Sequence, residues 1–134
     1  MKDAGDLCRG LLRKAQSDRI AMEASLAARA FDAGCFHSQQ IAEKCLKAFL
    51  AYSRVEFPYT HNLTKLIEIA ATIDAAFHSL LPTVAPLTPY AVELRYDDSF
   101  WPTQQVAEEA RASALVVLQF VLNRLPPDIR KSAE

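Results

Sequence analysis

Apolar residues recur at helical spacing along most of this chain. In residues 6–31 they stand four or seven positions apart, at Leu7, Leu11, Ala15, Met22 and Leu26. This spacing places their side chains on one face of an α-helix. Alternating apolar and polar residues with many β-branched side chains, which are typical of strands, form no sustained stretch. The pattern therefore predicts an all-α fold.

Four further helices follow from the same spacing and from the residues that begin and end helices. With the first, they cover residues 6–31, 35–53, 63–73, 89–96 and 103–125. We expect the break between the first two at residues 32–34, because Gly34 can adopt the left-handed conformation that ends a helix. The wide apolar stripe of residues 103–125 predicts that the last helix lies at the centre of the fold.

These elements predict an up-and-down helical bundle of four long helices plus a short extra helix, within residues 1–127. A chain of 134 residues suits one such domain. Pro126 and Pro127 end the last helix, and we expect residues 128–134 to form a frayed tail.

The composition excludes several classes of protein. Hydrophobic residues make up 51% and charged residues 23% of the chain, as in an ordinary globular domain. Lys and Arg number 15 against 16 Asp and Glu, so a general binder of polyanions is not expected. The longest apolar run, residues 114–118, is too short to cross a bilayer, and the N-terminus lacks the apolar region of a signal peptide. We therefore expect a cytoplasmic protein that does not associate with membranes.

The cysteines predict neither disulfides nor a metal centre. Cys8, Cys35 and Cys45 are an odd number and contain no CxxC pair. Reduced, buried thiols on helices are the expected state. Glycine-rich phosphate loops and metalloprotease motifs are also missing from the sequence, so no metal and no cofactor are predicted.

Polar residues on the second helix are the first candidates for chemistry. His37, Gln40, Lys44 and Lys47 follow a 3-4-3 spacing, which places them in one row along the helix. Two ammonium groups and an amide in a row can donate to phosphate oxygens. The alternative is a solvated helix face, on which Glu43 and Lys47 form an ordinary surface pair.

Arg54 and His61 are the second candidates. A guanidinium can hold the phosphate of an RNA linkage, and a histidine can move protons near neutral pH. Together they could cleave RNA without a metal. Alternatively, Arg54 complements the dipole at a helix end and His61 is a polar residue at a helix start.

The third candidates are Arg95, Tyr96, Asp97 and Asp98, which precede the loop that contains Trp101. They offer a phosphate clamp, a stacking surface and hydrogen-bond acceptors. They equally suit a structural staple, in which Arg95 pairs with one of the two aspartates and Tyr96 packs.

Three segments, in order, resemble the motifs of one family. Residues 37–50, HSQQIAEKCLKAFL, resemble an AQQAAEKALKALL signature. Residues 58–63, PYTHNL, resemble a P-x-T-H-D-L element, and residues 94–97, LRYD, resemble an RYPD element. These motifs are those of the HEPN domain family of helical, nucleotide-binding-type domains, and the resemblance covers nearly the whole chain.

This resemblance implies a small helical bundle that is commonly a homodimer. Many members act with a minimal nucleotidyltransferase as a toxin–antitoxin pair. We therefore expect a nucleotide-binding or partner-binding module with such a partner. The residues expected to bind the ligand, which is a nucleotide or RNA, are Gln40, Lys44, Lys47, His61, Arg95, Tyr96 and Asp97.

The ribonuclease branch of the family implies an alternative function. Its catalytic motif is an arginine followed, after four to six residues, by a histidine. Arg54 and His61 fit that interval. The alternative is therefore a metal-independent ribonuclease toxin, with Arg54 and His61 as its catalytic residues.

Overall fold

Helices form all the regular structure that the computed structural model describes, which covers residues 2–134. The long helices are α1 (Ala4–Ala27), α2 (Phe31–Tyr52) and α5 (Gln104–Leu122). The shorter ones are α3 (Leu63–Ala71), α4 (Leu81–Val84) and α6 (Pro127–Arg130), with 3₁₀ turns at Ala75–Leu80, Thr88–Tyr90 and Lys131–Ala133. No strand occurs within residues 2–134, so the prediction of an all-α fold is confirmed.

The central helix is α2, which packs against α1, α3 and α5. Thirteen of its 22 residues are buried, against six of 19 in α5, so the prediction that the last helix is central was wrong. Ile41, Leu46 and Leu50 of α2 are fully buried. Burying each of these side chains stabilises the fold by about 1.5–3 kcal/mol.

The predicted break at residues 32–34 was wrong, because α2 already begins at Phe31. The chain turns at Arg29, whose φ of 63° is left-handed. The Arg29 N–H donates to Leu26 O at 3.1 Å and the Ala30 N–H to Ser25 O at 2.8 Å, which is the Schellman arrangement of a helix end. Gly34 instead permits close packing, since a Cβ there would lie 3.0 Å from the Leu26 side chain.

The third and last helices match their predictions, because both have clear caps. The Asn62 side chain accepts from the Lys65 N–H at the start of α3, and the Thr103 hydroxyl accepts from the Val106 N–H at the start of α5. The predicted helix at residues 89–96 is reduced to a 3₁₀ turn at Thr88–Tyr90, followed by irregular turns.

Residues 127–133 form a short helix and a 3₁₀ turn, in the segment for which the sequence predicted a frayed tail. Pro127 begins α6, since proline is well suited to the first turn of a helix. Ile129 and Ala133 are buried, and Asp128 accepts a hydrogen bond from Arg9 of α1 at 3.3 Å. Within residues 2–134, no helix combines the length and the apolar character that a membrane span requires.

Candidate functional site

Two buried carboxylates mark the polar face of α2. Asp18 of α1 is 8% exposed and Glu43 of α2 is 4% exposed. Each is contacted by one histidine and one lysine, so the same set of groups occurs twice along the helix. Buried carboxylates require such partners, because an ionised group without them is costly to remove from water.

The Glu43 cluster consists of Glu43, Gln39, Lys47 and His61. His61 Nδ1 lies 2.8 Å from one carboxylate oxygen, and Lys47 Nζ lies 3.0 Å from the other. The Gln39 amide donates to the carboxylate at 3.1 Å and to the backbone oxygen of His61 at 3.2 Å. Burial alone would raise the pKa of Glu43, but the hydrogen bonds from Gln39, His61 and Lys47 outweigh it and lower that pKa. Glu43 is therefore ionised at neutral pH.

The Asp18 cluster consists of Asp18, His37 and Lys44. His37 Nδ1 lies 2.9 Å from Asp18 Oδ1, and the Lys44 ammonium contacts Oδ2. An ionised carboxylate only accepts hydrogen bonds, so a neutral His37 carries its proton on Nδ1 and leaves Nε2 as an acceptor. The same argument applies to His61, whose side chain is 44% exposed.

The predicted row on α2 is neither a set of free donors nor a solvated face, although the Glu43–Lys47 pair of the second interpretation does form. Lys44 and Lys47 pair with buried carboxylates, and the Gln40 amide donates to Gln39 Oε1 at 2.7 Å. Sequence reasoning missed Asp18 and Gln39 as partners. One signal existed: Asp18 stands seven residues after Leu11, on the apolar face of the first helix.

Tyr59 was also missed, although it lies beside the Glu43 cluster. The residue is 95% exposed. Lys47 Nζ lies 5.5 Å from the ring centroid, and the ring of His61 lies 6.1 Å away, edge to face. Tyr59 therefore offers an exposed aromatic surface next to a cation.

Arg95 and Tyr96 lie at the other end of the polar face. The Arg95 guanidinium carbon is 3.9 Å from the centroid of the Phe36 ring in α2 and 5.5 Å from that of Tyr96. Phe36 in turn contacts the His37 ring, with centroids 5.1 Å apart. Tyr96 itself is 80% exposed. Arg95 therefore adjoins the Asp18 cluster, and Tyr96 lies beyond it.

Asp97 faces its own turn instead of α2. Its Oδ1 accepts hydrogen bonds from the Ser99 hydroxyl at 2.6 Å and from the Ser99 N–H at 2.9 Å, which lower the pKa of Asp97. Within residues 2–134, Arg95 pairs with neither Asp97 nor Asp98, so the expected staple is not formed.

The predicted ligand-binding residues follow a strip along α2 rather than one small hollow. The Phe36 ring contacts the Arg95 guanidinium. Phe36 stands eleven residues before Lys47, which is about 16 Å at the rise of an α-helix. Such a strip is long enough to contact several groups of one ligand. It does not enclose them.

Arg54 and His61 lie in different parts of the molecule. Arg54 has a left-handed φ of 60° at the end of α2, where its N–H donates to Ala51 O at 3.1 Å. Its side chain lines a cavity of about 660 Å³, which is also lined by Leu7 and Phe57 but not by His61. His61 contacts Glu43, which precedes Arg54 by eleven residues, or about 16 Å along α2. One chain therefore does not bring the two proposed catalytic groups together.

The three cysteines are buried and free, as predicted. Burial raises the pKa of Cys8 and Cys35 to about 11 and that of Cys45 to about 12. All three are therefore protonated at neutral pH and poor nucleophiles. Among residues 2–134, no three His, Cys, Asp or Glu side chains are grouped closely enough to hold a metal ion.

Comparisons with known proteins agree with the motifs in the sequence. The crystal structure of an archaeal HEPN homologue matches with a TM-score of 0.69 and 22% identity, over 92% of this chain and 98% of that chain. At this identity the likeness shows the fold. No curated protein matches the chain in sequence. The family model of the HEPN domain matches residues 8–125, which is most of the chain. The chain therefore belongs to the HEPN domain family.

Proposed function

We propose that this protein is a HEPN-family module that binds a nucleotide on the polar face of α2 and acts with a minimal nucleotidyltransferase in a toxin–antitoxin type system. The observation that carries the binding proposal is the pair of carboxylate clusters, around Asp18 and Glu43, on one face of the most buried helix. The partner is proposed from family membership.

The clusters favour recognition over stability as their role. A buried ion pair often contributes no more to folding than well-packed apolar residues of the same volume. Glu43 occupies a position in the central helix where an apolar side chain would serve the fold. The cluster instead holds the exposed His61 ring and the buried Lys47 ammonium in fixed positions.

The same groups suit a phosphate. A lysine ammonium has three donors, and each carboxylate occupies only part of that capacity in Lys44 and Lys47. Arg95, which forms no ion pair within residues 2–134, adds a cation that is not neutralised by the protein. A phosphate on this face would therefore gain charge-assisted hydrogen bonds.

Calorimetric titration of the full chain with ATP, GTP and short RNAs tests the proposal. We expect binding that weakens about tenfold, or 1.4 kcal/mol, in Lys44→Ala and Gln40→Ala. Lys65→Ala, which removes an exposed charge from α3, is the matched control and should bind normally. A folded wild-type protein that binds no nucleotide and no RNA would overturn the binding proposal.

We further propose that the protein is a homodimer, as HEPN domains commonly are. Light scattering after size-exclusion chromatography should give twice the chain mass. The adjoining gene should encode a minimal nucleotidyltransferase, and its product should co-purify with this chain. A monomer, or an unrelated adjoining gene, would count against these two parts of the proposal separately.

The ribonuclease alternative receives less support from the geometry. Its two groups would have to act on one phosphate, yet Arg54 lines a cavity that His61 does not reach. His61 also has its Nδ1 committed to Glu43. A binding role, in contrast, needs His61 only at its observed position beside Glu43.

A further inference from the structure

A small cavity lies between the first half of α2 and the segment that follows Tyr90. Its volume is about 260 Å³. Three of its walls are aromatic rings, those of Phe36, Tyr90 and Phe100. The rings of Tyr90 and Phe100 are stacked, with centroids 5.6 Å apart and an interplanar angle of 26°. Flat apolar walls of this kind suit a planar ring.

Arg95 supplies a cation to this cavity. Its guanidinium carbon lies over the Phe36 ring, 3.9 Å from the centroid, and the group has no carboxylate partner within residues 2–134. A cation–π contact uses none of the guanidinium N–H groups, so they stay available to a ligand. These groups match the oxygens of a phosphate.

Two acceptors complete the lining. The His37 ring lines the cavity, and its Nδ1 is held by Asp18, so Nε2 is the acceptor of a neutral imidazole. The second acceptor is the Asp32 carboxylate, in the first turn of α2. Both groups favour a ring that presents N–H donors. Guanine presents adjacent donors, N1–H and the N2 amino group, whereas adenine presents one amino group beside an acceptor.

We propose that this cavity binds the base of a guanosine monophosphate, with the phosphate on Arg95. The proposal rests on the nucleotide-binding function above and names the base subsite within it. A volume of about 260 Å³ is just below the range of about 300–1,000 Å³ that is typical of sites for drug-sized ligands. The cavity therefore has room for one base and not for a dinucleotide.

Titration of the full chain with GMP, AMP, guanosine and inorganic phosphate tests this subsite. Trp101, the single tryptophan, follows Phe100 of the cavity wall, so its fluorescence provides one readout and calorimetry a second. We expect GMP to bind at least tenfold more tightly than AMP, and both guanosine and phosphate to bind more weakly than GMP.

Variants separate the base from the phosphate. Arg95→Gln should weaken GMP binding at least tenfold and leave guanosine unchanged, whereas Asp32→Asn should reduce the preference for GMP over AMP. Arg13→Gln, which removes an exposed arginine of α1, is the matched control. Both tested residues are exposed, so the variants should keep the wild-type circular dichroism.

The outcomes distinguish this subsite from the proposed function. Nucleotide binding that is lost in Lys44→Ala but unchanged in Arg95→Gln and Asp32→Asn would overturn the subsite alone. Equal affinities for GMP and AMP, or for GMP and inorganic phosphate, would also overturn it. A wild-type protein that binds no nucleotide at all would overturn both proposals.

Discussion

The Asp18 and Glu43 clusters contain the same charged groups but are assembled differently. Glu43 takes Gln39 and Lys47 from its own helix, four residues away on either side, and only His61 comes from elsewhere. Asp18 belongs to α1 and takes both of its partners from α2. The Glu43 cluster is thus largely a property of one helix, whereas the Asp18 cluster exists only when two helices pack.

Solvent access separates the two clusters further. The Lys47 side chain is 11% exposed, whereas that of Lys44 is 24% exposed. A lysine that loses its partner lowers the free energy of unfolding more when it is more deeply buried, because it can regain hydration only if it reaches water. The Glu43 cluster should therefore be more sensitive to the removal of its carboxylate.

The largest expected effect comes from that removal. Glu43→Ala leaves the buried Lys47 ammonium unpaired and should lower the free energy of unfolding by about 3–5 kcal/mol. Asp18→Ala leaves the more accessible Lys44 and should cost about 1–3 kcal/mol, the range for a donor left without its partner. Urea denaturation of both variants measures the difference. Equal losses would show that the two clusters do not differ in the way their burial implies.

Acidity should affect stability through Glu43 to a smaller extent. Its pKa is lowered from 4.5 in the folded state, so its contribution is complete above that value and is lost as the pH falls below it. Thermal melts between pH 3 and 7 should therefore show a shallower acid limb for Glu43→Gln than for the wild type. Glu93→Gln, which removes an exposed carboxylate, is the control. An unchanged acid limb in Glu43→Gln would contradict this assignment.

The smallest expected effect concerns RNA cleavage. Purified protein, incubated with total RNA in EDTA, should cleave none, and His61→Ala should behave in the same way. The reason is that Arg54 and His61 do not line one cavity. Cleavage by the wild type that disappears in His61→Ala, but persists in His37→Ala, would restore the ribonuclease alternative.

The sequence predicted most of the fold because its helices have local signals. The apolar spacing of α5 and the caps at Asn62 and Thr103 lie within a few residues of what they determine. The break at Arg29 was missed because its φ is left-handed. This conformation costs about 1–2 kcal/mol in residues other than glycine, so the sequence carries no sign that an arginine adopts it. Packing of α1 on α2 outweighs that cost.

The site was less predictable because its contacts join distant parts of the chain. Gln40, Lys44 and Lys47 were placed on one face by spacing alone. Spacing also offered the Glu43–Lys47 pair, but it could not reveal the partner of Lys44, since Asp18 reaches α2 only after the helices pack. The contact of Arg95 with Phe36 spans 59 positions and leaves no periodic signal in the sequence.

The ordered end of the chain has a topological consequence. Gly5 of α1 lies beside Ile129 of α6, and Arg9 bonds to Asp128, so the two ends of the described fold meet at one corner. A short engineered linker could join them, and new termini could then be opened in an exposed turn such as the one at Arg29. A segment attached at either end of the described fold would project from that shared corner.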